Sequence, residues 1–440
     1  MINNHTRLLF ALSLASTSIT SLANTECDPK DQQCVYQQLK EVKKELEELK
    51  KQSSKTGSSE IIEKKIAKAT EKSEHKISRI ESQLNQEKER LKIRGFLSAG
   101  LVKGTEDVSW GLPKSGETKG PLDLDNDINF KTDSTLGLQL DLRISDRTTA
   151  VAQLVSRGPE NYSTQAEWVF MKFEVQKNLN IRAGRMRNPY YLFSESIEVG
   201  YTYPWVRPPL DVYRTDFAAI IGTDLLYEMN FLGWTHTVQI LRGDVENEYA
   251  HAPGTKRITL ESSHGPWRTK FMHSYGKTEI KSIGASSVTK AYIGGIMYDD
   301  LDWLAIAEFS RFDASNEGPV PTIDAWYTTF GYHIGRWLPN ITFSKFETTE
   351  RNDHPFAAIA VLAVAAGEGN RTAQEANSSI TLGLRYDIST QLCVKTEYQR
   401  VIDVEEVDGI KSNGAYLGGF DTLDAGDDIE FYSIAVDMIF

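Results

Sequence analysis

The sequence is poor in cysteine, with three in 440 residues: Cys27, Cys34 and Cys393. That excludes a disulfide scaffold, and no spacing among them suggests a metal site. It also lacks a long apolar run in its body. Phe356 to Ala366 is the longest there, well short of the ~20 residues a membrane helix needs. G-x-S-x-G, H-E-x-x-H and a Walker loop are all missing, and the eight histidines are scattered. His273 and Ser274 on one strand point to opposite faces, so they form no dyad. The expectation is therefore not an enzyme, with no cofactor. Positive charge is short as well: 49 Lys+Arg against 61 Asp+Glu give a net charge of −12, which argues against nucleic-acid binding. Residues 1–94 hold 18 basic and 14 acidic residues, so residues 95–440 hold 31 and 47.

What is present begins with a leader. Arg7, the apolar stretch Leu8 to Ile19 and the small-residue site Ser21-Leu22-Ala23 read as a secretory signal over residues 1–23. An oxidising compartment then allows a Cys27–Cys34 disulfide; the alternative is two free or intermolecular thiols. From Val35 the apolar positions Val35, Leu39, Val42, Leu46 and Leu49 step by four and three between Glu and Lys. This is a coiled-coil seam. It resumes at Ile62, Ile66, Ile77, Ile80, Leu84 and Leu91, so residues 24–92 are expected to form a helical stalk. A narrow seam implies self-association, the alternative being a solvated single helix or disordered spacer. Ile and Val at many seam positions favour three strands.

After Arg94 the period changes to two. In "LGLQLDLRI", Leu136, Leu138, Leu140, Leu142 and Ile144 alternate with Gln139, Asp141 and Arg143. "ITLGLRYDI" repeats the pattern, and the final "YSIAVDMIF" alternates Tyr432, Ile434, Val436, Met438 and Phe440 with smaller or polar residues. About sixteen such segments, each roughly 9–13 residues, fill 93–440 and suit tilted membrane strands. Tight turns alternate with usually longer connectors at 105–133, 158–164, 188–216, 243–255, 279–286, 313–322, 350–377 and 404–427. That asymmetry predicts an all-β transmembrane barrel of about 16 antiparallel strands. Trp168, Trp234, Trp267, Trp303, Trp326 and Trp337 fall in or at the ends of these strands, as an interfacial girdle requires.

In this architecture and in its terminal "YSIAVDMIF", residues 93–440 resemble Gram-negative outer-membrane porins of the sixteen-stranded type. The coiled-coil extension is similar to that of sucrose-type and dicarboxylate-type porins, which are trimers. The resemblance implies a homotrimer in a lipid bilayer faced with lipopolysaccharide. It implies a C-terminal signal, Tyr432 and Phe440, read by the barrel-assembly machinery. It also implies passive diffusion of small hydrophilic solutes through a channel narrowed by its third loop. A barrel tethered to peptidoglycan through the stalk is the rival reading.

The third loop would be 188–216. With its flanks it reads "RMRNPYYLFSESIEVGYTYPWVRPPLDVYR", with six Tyr or Phe, one Trp and four prolines, a composition suited to folding inward. The expected constriction residues are Arg185, Arg187, Tyr190, Tyr191, Glu195, Glu198, Arg207, Asp211 and Arg214. Their charges either set a transverse field or pair locally and hold the loop's shape. By phase, Arg143, Lys172, Arg182, Lys270, Arg385 and Lys395 are expected on the lumen wall. Basic residues slightly outnumber acidic ones in the inward phase, which suits anions. Asp123, Asp125 and Asp127 start like a calcium loop but lack its glycine and final glutamate, so an acidic surface loop is expected. The apolar segment 356–366 is expected as a short buried helix.

Overall fold

The computed structural model describes residues 90–105, 108–110, 122–124, 127–213, 219–247, 250–281, 284–314, 322–349, 376–402 and 429–440, with scattered positions between 40 and 78. The seam positions Val35 to Leu84, Cys27, Cys34 and segment 356–366 lie outside the described residues; Leu91, expected as the last seam position of a helical stalk, instead opens the first strand.

Sixteen strands close into one antiparallel barrel, each paired with its sequence neighbours and the last with the first. They are β1 (Leu91–Gly104), β4 (Thr135–Ser145), β5 (Thr148–Arg157), β6 (Thr164–Gln176), β7 (Leu179–Arg187), β8 (Ala219–Phe231), β9 (Trp234–Glu246), β10 (Ala250–His264), β11 (Trp267–Ile280), β12 (Ala285–Asp299), β13 (Trp303–Ala314), β14 (Thr322–Tyr332), β15 (Trp337–Thr349), β16 (Ala376–Ser389), β17 (Leu392–Ile402) and β18 (Ile429–Ile439). The short strands β2 (Val108–Trp110) and β3 (Leu122–Leu124) form a separate two-stranded sheet in the first long connector.

Period-two patterning decides which face is which. Leu136, Leu138, Leu142 and Ile144 are exposed on the outside, as are Tyr432, Ile434, Val436 and Phe440. The opposite row of β18 is buried: Ser433, Ala435 and Asp437. An outer face so rich in apolar side chains suits lipid, not water. β18 closes on β1 in register from Phe96–Ile439 to Gly104–Phe431, and the last residue extends the seam: Gly95 N donates to Phe440 O at 2.8 Å and Phe440 N donates to Gly95 O at 2.9 Å.

Two long connectors were expected where the structure has short ones. β9 continues to Glu246 and β10 starts at Ala250, so 243–255 is mostly strand. Pro253 and Gly254 read as a turn in the sequence, but they sit in a bulge where the β9–β10 register shifts. Gly254 has φ +59, and its N–H is capped by Asp244 Oδ1 at 2.7 Å. Likewise 279–286 shrinks to 281–284.

The girdle lies at the short-turn end. Trp267 meets Tyr298, Trp303 meets Tyr332 and Trp337 meets Tyr386, with ring centroids 4.7, 4.7 and 4.4 Å apart. Trp168 and Trp326 depart from the expectation: Trp168 packs beside Phe170 and the buried cluster of Val151, Met186 and Ile220, and Trp326 lies inside β14, opposite Phe309 and Lys345.

Candidate functional site

The third loop folds against the inner wall. After β7 the chain turns through Asn188 and Pro189, and Tyr191, Leu192, Phe193 and Trp205 become almost fully buried. They pack on inward residues of β11–β15, including Ile306, Tyr327 and Phe346. Phe193 lies edge-on to Trp205 at 5.6 Å, and Trp205 edge-on to Tyr327 at 5.4 Å. This apolar contact fixes the loop on one side of the barrel.

A non-repetitive loop in a narrow space must satisfy its own backbone groups, and the wall supplies the partners. Glu308 accepts from Leu192 N at 2.6 Å, Tyr213 OH at 2.5 Å and Tyr327 OH at 2.7 Å. Lys395 Nζ donates to Gly200 O and Trp205 O, and pairs with Asp437 at 2.9 Å. Arg385 donates to Tyr201 O at 2.9 Å and Tyr203 O at 3.2 Å. Glu397 accepts from Val206 N at 3.0 Å. Asp211 accepts from Ser344 at 2.6 Å and Asn377 at 2.5 Å.

The loop's own charges are paired. Arg157 holds Glu198 through two bonds, of 2.9 and 2.7 Å, and also reaches Glu167. Arg187 donates to the same Glu198. Burial alone would raise the Glu198 carboxyl, but Arg187 and Arg157 hold it down at about 2. Arg207 grips Asp133, from the first long connector, and donates to Ser433 Oγ at 2.8 Å.

Arg143, Lys172 and Arg182 line up across β4–β7: Arg143 is opposite Thr149, Thr149 opposite Lys172, and Lys172 opposite Arg182. All three lie in the inward phase, yet Arg143 and Lys172 are exposed. Both stand near the short turns, two residues before the end of β4 and four before the end of β6. From the loop, Glu195, 51 % exposed, comes within 3.8 Å of Arg182, whose main partner is the buried Asp224 at 2.6 Å.

The other expected positions are placed differently. Arg185 shares the outward phase of Val169 and Ile221 and donates to Ala166 O at 2.9 Å, so it is not in the constriction. Glu198, Arg207, Tyr190, Tyr191 and Asp211 are in the loop and Arg187 ends β7, and all six serve the loop's packing and ion pairs. Lys270, paired with Glu261 at 2.7 Å, and Lys395 face inward but are buried, while Arg385 is tied to the loop backbone. Arg214 lies outside the described residues. Sequence reasoning missed Arg157 and Glu167, whose charges fall at the external end of β5 and β6 and gave no local signal.

No protein-family model matches the sequence, and no curated protein matches it significantly. Solved structures do match in shape. An anion-selective porin from Comamonas acidovorans aligns over 80% of this chain and 99% of its own, with TM-score 0.51 at 12% identity. Salmonella typhi OmpF, in complex with daunomycin, aligns over 80% and 97% with TM-score 0.50 at 15% identity. Outer-membrane-expressed OmpT of Vibrio cholerae aligns over 80% and 97% with TM-score 0.50 at 11% identity. The barrel of this chain therefore has the fold of the outer-membrane porins.

Proposed function

We propose that the barrel is an outer-membrane channel for passive diffusion of small hydrophilic solutes, without enzymatic activity. The observation that carries this is the solvent-exposed, inward-facing pair Arg143 and Lys172, with the exposed Glu195 of the loop beside the neighbouring Arg182. It gives the inner wall of β4–β7 a basic face beside one exposed acid, a local field that acts on charged and dipolar solutes. The basic side favours anions, a leaning shared with the anion-selective porin of similar fold.

The chain works as a homotrimer in this reading, with the stalk of residues 24–92 in the periplasm after the leader is removed. The seam Val35, Leu39, Val42 and Leu46 drives association. One wall also suits a second copy. Turn-end residues of β4–β7, such as Ser145, Thr148, Gln176 and Leu179, include no Trp or Tyr, unlike the turn ends of β11–β16. A surface away from lipid headgroups needs no girdle. The barrel-assembly machinery would read Tyr432 and Phe440.

Swelling of liposomes containing the purified protein, in neutral sugars of graded size, tests the reading. Swelling that falls with solute size is expected. Liposomes that never swell would leave a wall-tethered barrel as the function.

A further inference from the structure

On the inner wall of β10 a buried arginine has no counter-charge. Arg257 is 3 % exposed, and its phase, shared with Thr255, Thr259 and Glu261, points it into the barrel. The register sets it between Leu241 of β9 and Ser274 of β11, both buried. Tyr190, at the start of the third loop, covers it: the guanidinium carbon lies 4.3 Å from the centre of the Tyr190 ring. Phe312 meets the same ring edge-on at 5.6 Å.

An arginine keeps its charge in a protein interior, so its burial has to be compensated by partners. Here the compensation is incomplete. Nη2 donates to Ser274 Oγ at 3.3 Å, whereas Nε and Nη1 have no hydrogen-bond partner among the described residues. No carboxylate pairs with the guanidinium among those residues either. The Tyr190 ring attracts a cation through its face but carries no negative charge at neutral pH. Along β10 and β11 the inward phase holds Arg257, Arg268 and Lys270 against one acid, Glu261, which lies 2.7 Å from Lys270 and 3.6 Å from Arg268. The next carboxylate, Glu308 of β13, is taken by Leu192, Tyr213 and Tyr327.

Two hydroxyls add to the surplus of donors. Ser274 Oγ accepts from Arg257, which leaves its own O–H free to donate. Thr259 Oγ1, buried two positions along the same face or about 7 Å, has no partner among the described residues. Donors and positive charge gathered without an acceptor are the complement of an anion. Tyr190 closes the place from the loop side, and the buried Leu241 and Met272 flank it, so only a small ion fits.

We propose that Arg257, with Ser274 and Thr259, holds a small monovalent anion of halide size beneath Tyr190. The ion neutralises the guanidinium and keeps the start of the third loop seated on the wall. Binding there does not require a conducting barrel, so the site and the channel fail separately.

The full-length protein in detergent micelles is unfolded with urea at fixed ionic strength, with chloride exchanged for gluconate. An ion that binds only the folded state raises the folding constant about tenfold for each tenfold rise in chloride above its dissociation constant. Bromide should replace chloride, and bromide-soaked crystals should show an anomalous peak between Arg257 and Ser274. Arg257→Met keeps the length of the side chain without its charge; its folding constant should ignore chloride, and its crystals should lack the peak. Ser274→Ala with Thr259→Val keeps the cation and provides a second variant, which should need at least about tenfold more chloride for the same stabilisation. A wild type indifferent to chloride, either variant responding as the wild type does, or bromide found only elsewhere overturns the site. A protein that conducts but ignores chloride loses the site and keeps the channel; one that responds to chloride without conducting keeps the site and loses the channel.

Discussion

Leu192 donates its backbone N–H to the Glu308 carboxylate at 2.6 Å, joining residues 116 apart in sequence. The same carboxylate accepts from Tyr213 and Tyr327, so one wall residue gathers the start of the loop, its end and the neighbouring strand. Glu308→Ala leaves three buried donors without an acceptor, at about 1–3 kcal/mol each. The loop should come away from the wall while the barrel persists. Single-channel recordings are expected to show larger and noisier steps than the wild type, with unchanged heat-modifiable mobility on gels. Quiet steps of wild-type size would show that the aromatic packing alone holds the loop.

A second expectation concerns pH. The folded pKa of Glu198 is depressed to about 2 by Arg187 and Arg157. A depressed carboxyl stabilises the folded state above its unfolded value near 4.3, and the contribution disappears as pH falls through the folded value. Loop anchoring should therefore weaken between roughly pH 4 and pH 2. Conductance of the wild type is expected to rise over that window. Glu198→Gln should be looser at neutral pH and show no rise over the same window.

Selectivity should follow the open row. Replacing Arg143 and Lys172 together by alanine is expected to move the reversal potential in a salt gradient toward cations, with conductance changing by less than about threefold. Arg187→Ala with Arg207→Ala should behave differently, because those guanidinium groups are buried against Glu198 and Asp133. That pair should disturb the loop, widening the spread of conductance rather than shifting selectivity. A selectivity shift from the second pair and none from the first would reverse the assignment.

Removing Phe440 takes away the two backbone bonds to Gly95 and an exposed aromatic at the seam between β18 and β1. The truncated protein is expected to reach the outer membrane at a small fraction of wild-type levels, measured by fractionation and immunoblot. Normal levels would assign closure to the rest of the β1–β18 register.

These contrasts show how far a single sequence can be read. The rows Leu136–Ile144 and Tyr432–Phe440 announce their faces because period two is local and repeated. Inward placement of Arg143, Lys172 and Arg182 follows from the same alternation. The bulge at Gly254 was not legible, since a glycine beside a proline reads equally well as a turn. Nor was the pairing of Arg157 with Glu198, 41 residues away, or of Arg207 with Asp133, 74 residues away. Such partners meet only after the barrel has closed and the loop has entered it. Of the nine residues expected at a constriction, most prove to anchor the loop to the wall.

The most direct test of the account is single-channel recording of the purified full-length protein in planar bilayers at neutral pH. Stable, ohmic conductance steps with a modest anion preference are expected, because Arg143 and Lys172 face inward and are exposed. A membrane that holds the folded barrel and shows no steps would contradict the channel and leave a closed structural barrel.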